Sequence, residues 1–517
     1  MTPDPPQRAN VRVRLLSSFS AQSASLLLRT LLQLILVPIF LRGWGAALYA
    51  DWLLVFSTAG FLSVLDLGMQ TYFGNALLSA WSRQQPLEYR RILGIALVLY
   101  AAVLSTAVAV LVGIGLGLSW SRVIATSTAD EATVAWTFGL LAASTLVLIL
   151  TGLLTAVYRA RGDYGLSTAT AAIAEVLRGL ATCVVVGAGG SMVQAAVAYL
   201  ATAVAYWIGA LVDQKRRYGE IPLTLAFPDG REFLAACSHA ARYFIAGFAP
   251  TVLLNAPVLM IGRLSPATGG VVAFVTLRTL TGLVRQIVHQ LSHAVGGEIG
   301  HRYAREDRTG TRQLLLTAGR LVSGVGGLLV GVVFVAAGPF LALWTRGQVI
   351  YDAWLCAAFL AAILATAPAQ VAYMVFHYTN RPNVLVIAGG IQIVVAILLC
   401  LLLIGRYSVF GAAVGTGAAE FLSIGLLLPF AACRSVAYST GRYLAGCLAV
   451  AGVAGAASVG IALALSRLMP VRTYIEIVSF GVVWSVLVAG PAFYLLLPRH
   501  LRHWLLDRGR AFVGSTR

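Results

Sequence analysis

Charged residues are scarce in this chain of 517 residues, because Asp, Glu, Lys and Arg together make up only 11% of it. Ordinary soluble domains contain about twice that share. Hydrophobic residues make up 59%, and the mean hydropathy is +0.85. A soluble protein of this length could not bury so much apolar surface. The composition therefore excludes a cytosolic enzyme, a secreted domain and a disordered chain, and it predicts a protein that lies in a lipid bilayer.

Lysine and cysteine are also rare. Lys215 is the only lysine among the 37 basic residues, and the net charge is +18. The arginines lie between apolar segments rather than in one patch, so we predict no nucleic-acid partner. The six cysteines form no Cys-x-x-Cys pair and mostly lie in apolar stretches. We interpret them as small buried hydrophobic residues, and we predict no disulfide framework, metal site or cofactor.

Apolar segments long enough to cross a membrane recur along the whole chain. Each crossing needs about 20 mostly apolar residues. The candidates are 15–41, 48–78, 92–118, 132–158, 166–187, 191–212, 241–263, 268–295, 314–343, 349–377, 384–405, 409–430, 441–466 and 473–497. Basic residues concentrate on alternate loops, and the positive-inside rule then places both termini in the cytoplasm. We therefore predict an all-α polytopic membrane protein with about 14 transmembrane helices.

A weak internal repeat divides these spans into two sets. Sliding the sequence on itself by about 218 residues aligns Trp136 with Trp354 and the loop 159–163 with 379–382. Six spans per repeat give both repeats the same orientation, which predicts two parallel six-helix repeats around a cavity, plus two C-terminal helices. The predicted domains are an N-terminal six-helix bundle at 1–212, a cytoplasmic connecting segment at 213–240, a C-terminal six-helix bundle at 241–430, and two additional helices with a basic cytoplasmic tail at 431–517.

Polar side chains form a stripe along the first span. Five of them recur at spacings of three or four residues and so share one face of a helix. They are Ser18, Gln22, Ser25, Arg29 and Gln33. Serine and glutamine are common where membrane helices pack together, but an arginine at mid-depth is costly unless it faces water or a partner. We therefore predict that Arg29 and Gln33 line a hydrated cavity.

The eighth span carries the highest concentration of basic side chains. Arg278, Arg285 and His289 are spaced by seven and four residues and share a face, with His293 one turn further on. Arg278 lies roughly 15 Å from the outer end of the span, at 1.5 Å per residue. For Arg285 and the histidines the alternative is that they extend to the lipid headgroups. The preferred interpretation is a cationic cavity that selects anions, since the planar guanidinium suits phosphate.

Acidic side chains inside the predicted spans are fewer. Glu175 and Arg178 lie three residues apart and can neutralise each other on one helix. Glu420 has no partner on its own helix, so it is either matched by a cavity arginine or serves as a protonatable coupling site. Asp66 lies in the inner third of the second span, and Asn75 follows it. We retain all five as candidates for coupling or for the polar lining of the cavity.

Two further aspartates lie where spans begin. Asp51 and Asp352 are at the outer starts of their spans, so we interpret them as charges that stabilise helix N-termini. The outer loops are short, and no segment between spans is long enough for a domain of its own. Any function is therefore expected to be carried out within the bilayer.

Two stretches carry short motifs. In 37–77, a helix ends near Gly43, a segment with Tyr49 follows, and Leu65-Asp66-Leu67-Gly68 comes later. The stretch 407–421 has an aromatic residue, then Gly-Ala-Ala, then a late acid. With the order of six, six and two spans, these motifs resemble the bacterial polysaccharide flippases of the multidrug/oligosaccharidyl-lipid/polysaccharide (MOP) superfamily. One departure is that many relatives have an aspartate near the end of span 7, where this chain has Asn255-Ala256-Pro257.

The resemblance implies a carrier rather than an enzyme, located in the bacterial inner membrane. It would move undecaprenyl-diphosphate-linked oligosaccharide from the cytoplasmic to the outer leaflet by alternating access, for the synthesis of O-antigen, capsule or exopolysaccharide. Implied partners are this lipid-linked sugar, membrane lipids, a coupling ion (H⁺ or Na⁺), and the polymerase and export machinery of the same pathway. Relatives of this kind have a positively charged lumen, which Arg29, Arg278 and Arg285 would supply here; Gln33 and His289 join them as candidate substrate-binding residues because of their positions on the same spans.

Other functions remain open at this point. A lipid II flippase shares the same chemistry. A drug/cation antiporter of the same superfamily would favour acidic cavity residues, which the deep arginines of spans 1 and 8 outweigh. A membrane polysaccharide ligase or glycosyltransferase generally needs a sizeable outer loop, which this chain lacks. The sequence contains no GxxxxGK[ST] phosphate loop, so we do not expect it to hydrolyse ATP.

Overall fold

The computed structural model describes residues 7–115, 119–219, 226–227, 229–265, 269–379, 382–469 and 471–496. This part of the chain is helical and contains no β-strand. Its elements are α1 (Gln7–Gly60), a 3₁₀ segment (Phe61–Asp66), α2 (Met69–Ser82), α3 (Pro86–Gly115), α4 (Trp120–Ile124), α5 (Glu131–Ala160), α6 (Tyr164–Gly187), α7 (Met192–Tyr218), α8 (Gly230–Leu264), α9 (Gly270–Ala304), α10 (Arg308–Trp344), α11 (Ala353–Tyr378), α12 (Pro382–Glu420), a π-helical segment (Phe421–Leu427), α13 (Leu428–Ser435), α14 (Thr440–Leu468) and α15 (Tyr474–Leu496).

Eleven helical segments in the described residues are long and apolar enough to cross a membrane. Two of them, Leu28–Ser82 and Asn383–Ser435, have 55 and 53 residues. A straight helix of that length would span about 80 Å, far more than the roughly 30 Å of a hydrocarbon core, so each is long enough for two crossings. With the shorter apolar helix Phe248–Leu264, this gives the fourteen crossings predicted from the sequence. The predicted all-α polytopic fold is confirmed.

Both double-length segments break at single residues with positive φ. Gly45 has φ 71° inside α1, where glycine avoids the steric penalty that a Cβ atom brings in this region. Ser408 has φ 51° inside α12, and its hydroxyl lies 2.5 Å from that of Ser265 in the loop before α9. The sequence places the corresponding span boundaries at 41–48 and 405–409, so its apolar pattern locates both breaks.

Two local turns recur at the same offset in the two parts of the chain. Gln84 and Glu306 both have positive φ, at 58° and 56°, just before α3 and α10. Aspartates cap α5 and α11, where Asp130 and Asp352 accept hydrogen bonds from backbone N–H groups of the first helical turn. Each of these two pairs is separated by 222 positions (306 − 84 and 352 − 130). This backbone agreement supports the internal duplication.

The chain forms two compact units, Met1–Arg263 and Leu264–Arg517. In the first, buried apolar residues of α2, α3 and α5 pack together, with Leu77 and Tyr100 fully buried. In the second, buried residues of α9, α10, α11, α13 and α14 pack into a core. Helix α7 extends to Tyr218 and α8 begins at Gly230, so helix occupies much of the segment 213–240. The predicted domain boundaries stay a prediction.

Small residues bring α14 close to α10 in the second unit. Gly327 and Gly331 are four residues apart on α10, a spacing that lets membrane helices approach closely. A Cβ atom on Gly331 would lie 2.7 Å from the Gly455 carbonyl oxygen of α14. The Ser458 hydroxyl donates a 2.6 Å hydrogen bond to the Leu328 carbonyl. Helix α14, which covers the first of the two predicted additional spans, is therefore packed tightly against α10.

The two aspartates predicted at helix N-termini have different roles. Asp352 accepts hydrogen bonds from the backbone N–H groups of Trp354 and Leu355, so it caps α11 as predicted. Asp51 lies inside α1, is 1% exposed, and accepts backbone hydrogen bonds from loop residues 127–129. The prediction for Asp51 was wrong, because its position after the break at Gly45 lets it bind a distant loop rather than its own helix end.

Candidate functional site

In the first unit, the deep arginine of the polar stripe is paired across two helices. Arg29 Nε of α1 lies 2.9 Å from Glu175 Oε2 of α6, and the two side chains are 46% and 41% exposed. The helices approach closely one turn away, where a Cβ atom on Gly179 would lie 2.7 Å from Leu32. Gln33 lies half-buried one turn further along α1. Ser18, Gln22 and Ser25 have side chains outside the described residues.

The local pair expected from the spacing of Glu175 and Arg178 does not form. Glu175 is held by Arg29, whereas the Arg178 guanidinium lies 5.0 Å from the centre of the Tyr199 ring on α7. Residues three apart on a helix can pair, but this arrangement is worth only about 0.2–0.5 kcal/mol in isolated helices. In place of the local pair, Glu175 binds Arg29 on a neighbouring helix, and Arg178 makes a cation–π contact with Tyr199.

Asp66 lies where the Leu-Asp-Leu-Gly motif interrupts the helix. Leu67 and Gly68 both have left-handed φ, at 50° and 77°, and separate the 3₁₀ segment from α2. Asp66 Oδ1 accepts hydrogen bonds from the Gln70 backbone N–H at 3.2 Å and from the Tyr100 hydroxyl of α3 at 2.8 Å. Asp66 therefore ties the start of α2 to α3. Asn75 lies exposed on α2.

These contacts predict how Asp66 variants behave. Asp66→Ala is expected to lose about 1 kcal/mol of stability, because the first turn of α2 loses its side-chain acceptor. Asp66→Asn keeps an oxygen acceptor and is expected to stay close to the wild type. The measurement is thermal unfolding of the purified protein in detergent. Equal destabilisation by the two variants would show that the carboxylate charge, rather than the cap, is what α2 requires.

In the second unit, Glu420 has the arginine partner that was one of its two predicted alternatives. Arg285 Nη1 of α9 donates a short hydrogen bond to Glu420 Oε1 at the end of α12. The Glu420 side chain is 10% exposed and that of Arg285 is 41% exposed. The π-helical segment begins at the next residue, Phe421. Single-turn π segments are frequently found at functional sites, which makes this pair a candidate for a moving part.

Arg278 lies two turns before Arg285 on α9. Its guanidinium is 5.2 Å from the centre of the Phe274 ring, one turn earlier. Phe274 is fully buried and packs at 5.2 Å against Phe359 of α11. An aromatic face stabilises a cation that has left water. Arg278 thus places a cation in contact with an aromatic ring, within a helix long and apolar enough to span a bilayer.

Aromatic and imidazole rings follow these arginines toward the end of α9. His289 and His293 have ring centres 4.5 Å apart, and His377 of α11 lies 5.8 Å from His293. Tyr373 stacks on His377 at 5.8 Å, and the Tyr378 hydroxyl lies 3.4 Å from His293 Nδ1. Both α9 histidines were predicted from the sequence, but Tyr373, His377 and Tyr378 of α11 were not. Tyr373 and His377 are four residues apart and so share one face of a helix, which was the signal in the sequence that could have identified them.

The structure thus groups the predicted residues into two sets, one in each unit. The first set contains Arg29, Gln33, Glu175, Arg178, Asp66 and Asn75, and the second contains Arg278, Arg285, His289 and Glu420. The common cationic cavity stays a prediction. The described residues contain no group of three or more His, Cys, Asp or Glu side chains able to hold a metal ion. Five cysteines, all but Cys237, are free and buried.

By sequence, the chain matches no protein-family model and no curated protein. By fold, it is similar to the lipid II flippase MurJ in an inward closed conformation, with a TM-score of 0.70 and 13% identity over 93% of this chain and 99% of that one. An inward-facing multidrug resistance MATE family transporter of the MOP superfamily gives a TM-score of 0.65 and 13% identity, covering 79% of this chain and 94% of that one.

An outward-facing MATE family transporter is also similar, with a TM-score of 0.58 and 14% identity over 82% of this chain and 95% of that one. These neighbours are transporters and a flippase rather than enzymes. Such low identity shows the fold alone. The polysaccharide flippase branch stays a prediction. The chain therefore has the all-α, multi-pass membrane fold of the MOP superfamily transporters.

Proposed function

We propose that this chain is a flippase that moves undecaprenyl-diphosphate-linked oligosaccharide from the cytoplasmic to the outer leaflet of the bacterial inner membrane by alternating access. The observation that carries the proposal is the face of α9 on which Arg278 and Arg285 follow one another within a predicted span. Arginine binds diphosphate through a planar pair of donors and so replaces the hydration that the anion loses in the membrane. The fold similarity to MurJ and to inward- and outward-facing transporters supports the same conclusion.

Two arginine–carboxylate pairs, Arg285–Glu420 and Arg29–Glu175, would couple substrate binding to the uptake of an ion. Removing one partner of a poorly solvated pair is costly, but exchanging one anion for another is much less so. In this mechanism the substrate diphosphate displaces Glu420 from Arg285, or Glu175 from Arg29. A carboxylate that has lost its arginine then takes up H⁺ or Na⁺. An ion gradient would thereby drive the exchange, since moving one charge through 100 mV is worth about 2.3 kcal/mol.

The proposed product is a lipid-linked sugar in the outer leaflet. In that leaflet the polymerase and export machinery of O-antigen, capsule or exopolysaccharide synthesis would consume it. The polyprenyl tail would stay among the membrane lipids while the charged head crosses, because only the head is costly to transfer into hydrocarbon. Both chain termini would lie in the cytoplasm, as the distribution of basic residues indicates.

A lipid II flippase is the second candidate function. The fold similarity to MurJ, which extends over 99% of that chain, favours it. Lipid-linked oligosaccharide and lipid II would present the same diphosphate to Arg278 and Arg285, so the described arginines do not distinguish them. Complementation distinguishes the two functions. We expect the chain to rescue cells that lack a polysaccharide flippase but not cells that lack a lipid II flippase. The reverse result would establish the second candidate.

The proposal is tested in cells that lack the gene and carry either the wild type or Arg278→Ala. We expect wild type to restore export and Arg278→Ala to leave the lipid-linked sugar on the cytoplasmic face, with transport lowered at least about tenfold, because a charge-assisted hydrogen bond is worth about 1.5–3 kcal/mol. The leaflet is determined by labelling spheroplasts with a membrane-impermeant reagent. Arg467→Ala, at an exposed position in the last turn of α14, is the matched control.

Export by Arg278→Ala and Arg29→Ala variants at the wild-type level would remove the cationic site from the mechanism. Protein abundance in the membrane is measured in parallel for every variant. A loss of export that follows a loss of abundance would count as a folding defect and not as support.

A further inference from the structure

Three imidazoles meet beside the C-terminal half of α9. They are His289 and His293 of α9 and His377 of α11, here named the imidazole cluster. His293 is central, with ring centres 4.5 Å from His289 and 5.8 Å from His377. The rings are partly to substantially exposed rather than enclosed in the core. An incoming ligand could therefore reach all three.

Two tyrosines of α11 border the cluster and supply neutral hydrogen-bonding groups. Tyr373 lies beside His289 at 6.4 Å and stacks on His377 at 5.8 Å. The Tyr378 hydroxyl lies 3.4 Å from His293 Nδ1. The site thus combines three groups that can gain a proton with two phenol groups that can donate to an oxyanion.

Charged groups on α9 and α12 lie next to the cluster but are already paired. Arg285 lies one turn before His289 and is held by Glu420 of α12. Glu298 lies beyond His293 on α9 and is held by Arg302. Each of these carboxylates is therefore already paired with an arginine rather than with an imidazole.

Two basic residues of α10 are in contact with other groups. The Arg312 guanidinium lies 4.5 Å from the centre of the Tyr438 ring, and that of Arg320 lies against Gly446 of α14. On α11 the neighbours are the two neutral tyrosines. Among the described residues, no carboxylate forms an ion pair with the imidazole cluster. Protonating more than one of its rings would therefore place like charges side by side without a described counter-ion.

A bound anion would reduce the repulsion between protonated imidazole rings. Imidazole gains its charge between about pH 5 and 8, and the protonated ring donates hydrogen bonds from both nitrogens. A phosphate or diphosphate between the rings would offset their mutual repulsion and stabilise the protonated forms. Anion binding and proton uptake would then favour each other, as thermodynamic linkage requires.

We propose that the imidazole cluster is a proton-linked binding site for a phosphate or diphosphate group. The inference rests on the proposed flippase function and deepens it, because it makes this cluster the first contact of the substrate head. His289 lies one turn from Arg285, so a diphosphate bound at His289 would be about 6 Å along the helix from Arg285. The arginines then supply the part of anion binding that does not depend on pH, and the imidazoles supply the part that does.

The test measures proton uptake directly. The full chain is placed in phosphatidylcholine nanodiscs and titrated with farnesyl diphosphate by calorimetry, in buffers of different ionisation enthalpy at pH 6.5. We expect net proton uptake of about one per ligand and binding that tightens as pH falls from 7.5 to 5.5, by up to about tenfold per pH unit for each proton. Farnesol is the uncharged control. Binding by the wild type without proton uptake would overturn the proposal, whatever any variant does.

Variants test whether the protons taken up on binding go to the imidazole cluster. The triple variant His289→Gln, His293→Gln, His377→Gln is expected to keep the pH-independent part of binding and to lose both the proton uptake and most of the pH dependence. Because farnesyl diphosphate itself titrates near pH 6, this variant also shows the ligand's own contribution. Arg467→Gln, at an exposed position on α14, is the control for a changed basic side chain and should behave as the wild type. Unchanged proton uptake in a monodisperse triple variant would refute the assignment.

Two sources of phosphate are separated by the lipid of the nanodisc. If phosphatidylglycerol added to the nanodisc abolishes the proton-linked binding of farnesyl diphosphate, a membrane headgroup occupies the cluster. If the binding persists, the cluster selects the diphosphate of the substrate. Failure of the flippase proposal is distinct, because it would appear as no farnesyl diphosphate binding at any pH and no transport of lipid-linked sugar. Transport without proton uptake would reject the cluster alone.

Discussion

Gly327→Leu is expected to destabilise the second unit by about 3 kcal/mol or more, since overpacking into backbone leaves no side chain that can move away. A Cβ atom on Gly327 would collide with the Ala451 carbonyl oxygen of α14, and the next atoms contacted also belong to that backbone. The neighbouring hydrogen bond from Ser458 to Leu328 depends on the same close approach. We expect the variant to unfold at lower temperature in detergent and to be less abundant in membranes.

Two nearby glycines provide matched controls for this prediction. Gly452 lies exposed on α14, and a Cβ atom added there would have nothing within 4 Å, so Gly452→Leu should leave the melting temperature unchanged. Gly326 precedes Gly327, and a Cβ atom there would make ordinary contacts at 3.4 Å and 3.7 Å, so Gly326→Ala should be tolerated. If Gly327→Leu had the same melting temperature as these controls, the stability of the second unit would not depend on the close contact between α14 and α10.

Reversing the charge of Arg285 is expected to lower transport of lipid-linked sugar about 100-fold, because a diphosphate would lose a charge-assisted contact worth up to about 3 kcal/mol. Arg285→Glu also places two carboxylates together at a site where the Glu420 side chain is only 10% exposed. That should reduce stability by about 3 kcal/mol, at the lower end of the range for a broken buried pair because Arg285 is 41% exposed.

The double variant Arg285→Glu, Glu420→Arg separates these two effects. Exchanging the partners restores an ion pair, so membrane abundance and melting temperature should recover. Transport should remain low, because the cation has moved from α9 to the end of α12 and is no longer in line with Arg278. Arg467→Gln, exposed on α14, controls for the loss of an arginine. Full recovery of transport in the double variant would show that the pair has only a structural role.

The features that the sequence predicted are those that depend on local periodicity and backbone chemistry. The break near Gly43 and Tyr49 appears as the positive φ of Gly45, and the boundary at 405–409 appears at Ser408. The cap formed by Asp352 follows from its position before an apolar run. Each of these outcomes requires only a few neighbouring residues, so a single sequence contains the information.

The contacts that were not predicted share a different cause. Spacing allowed Glu175 to pair with Arg178, yet Glu175 lies against Arg29, which is 146 positions away in the sequence. Asp51 was assigned to its own helix end, yet it binds the backbone of loop 127–129. In both cases a partner from another helix or loop offers a stronger contact than the local one. Periodicity shows which face of a helix a side chain occupies but not which helix faces it.

The amino-acid sequence by itself determined an all-α chain built for a membrane, and it predicts about fourteen crossings with arginines inside apolar spans, because these follow from composition and from runs of apolar residues. Only the tertiary structure decided that Arg29 and Arg285 are each held by a carboxylate, and that His377 joins the two histidines of α9. The physical reason is that pairing between helices depends on distances of a few ångströms, which are set by small residues such as Gly179 at the helix contacts.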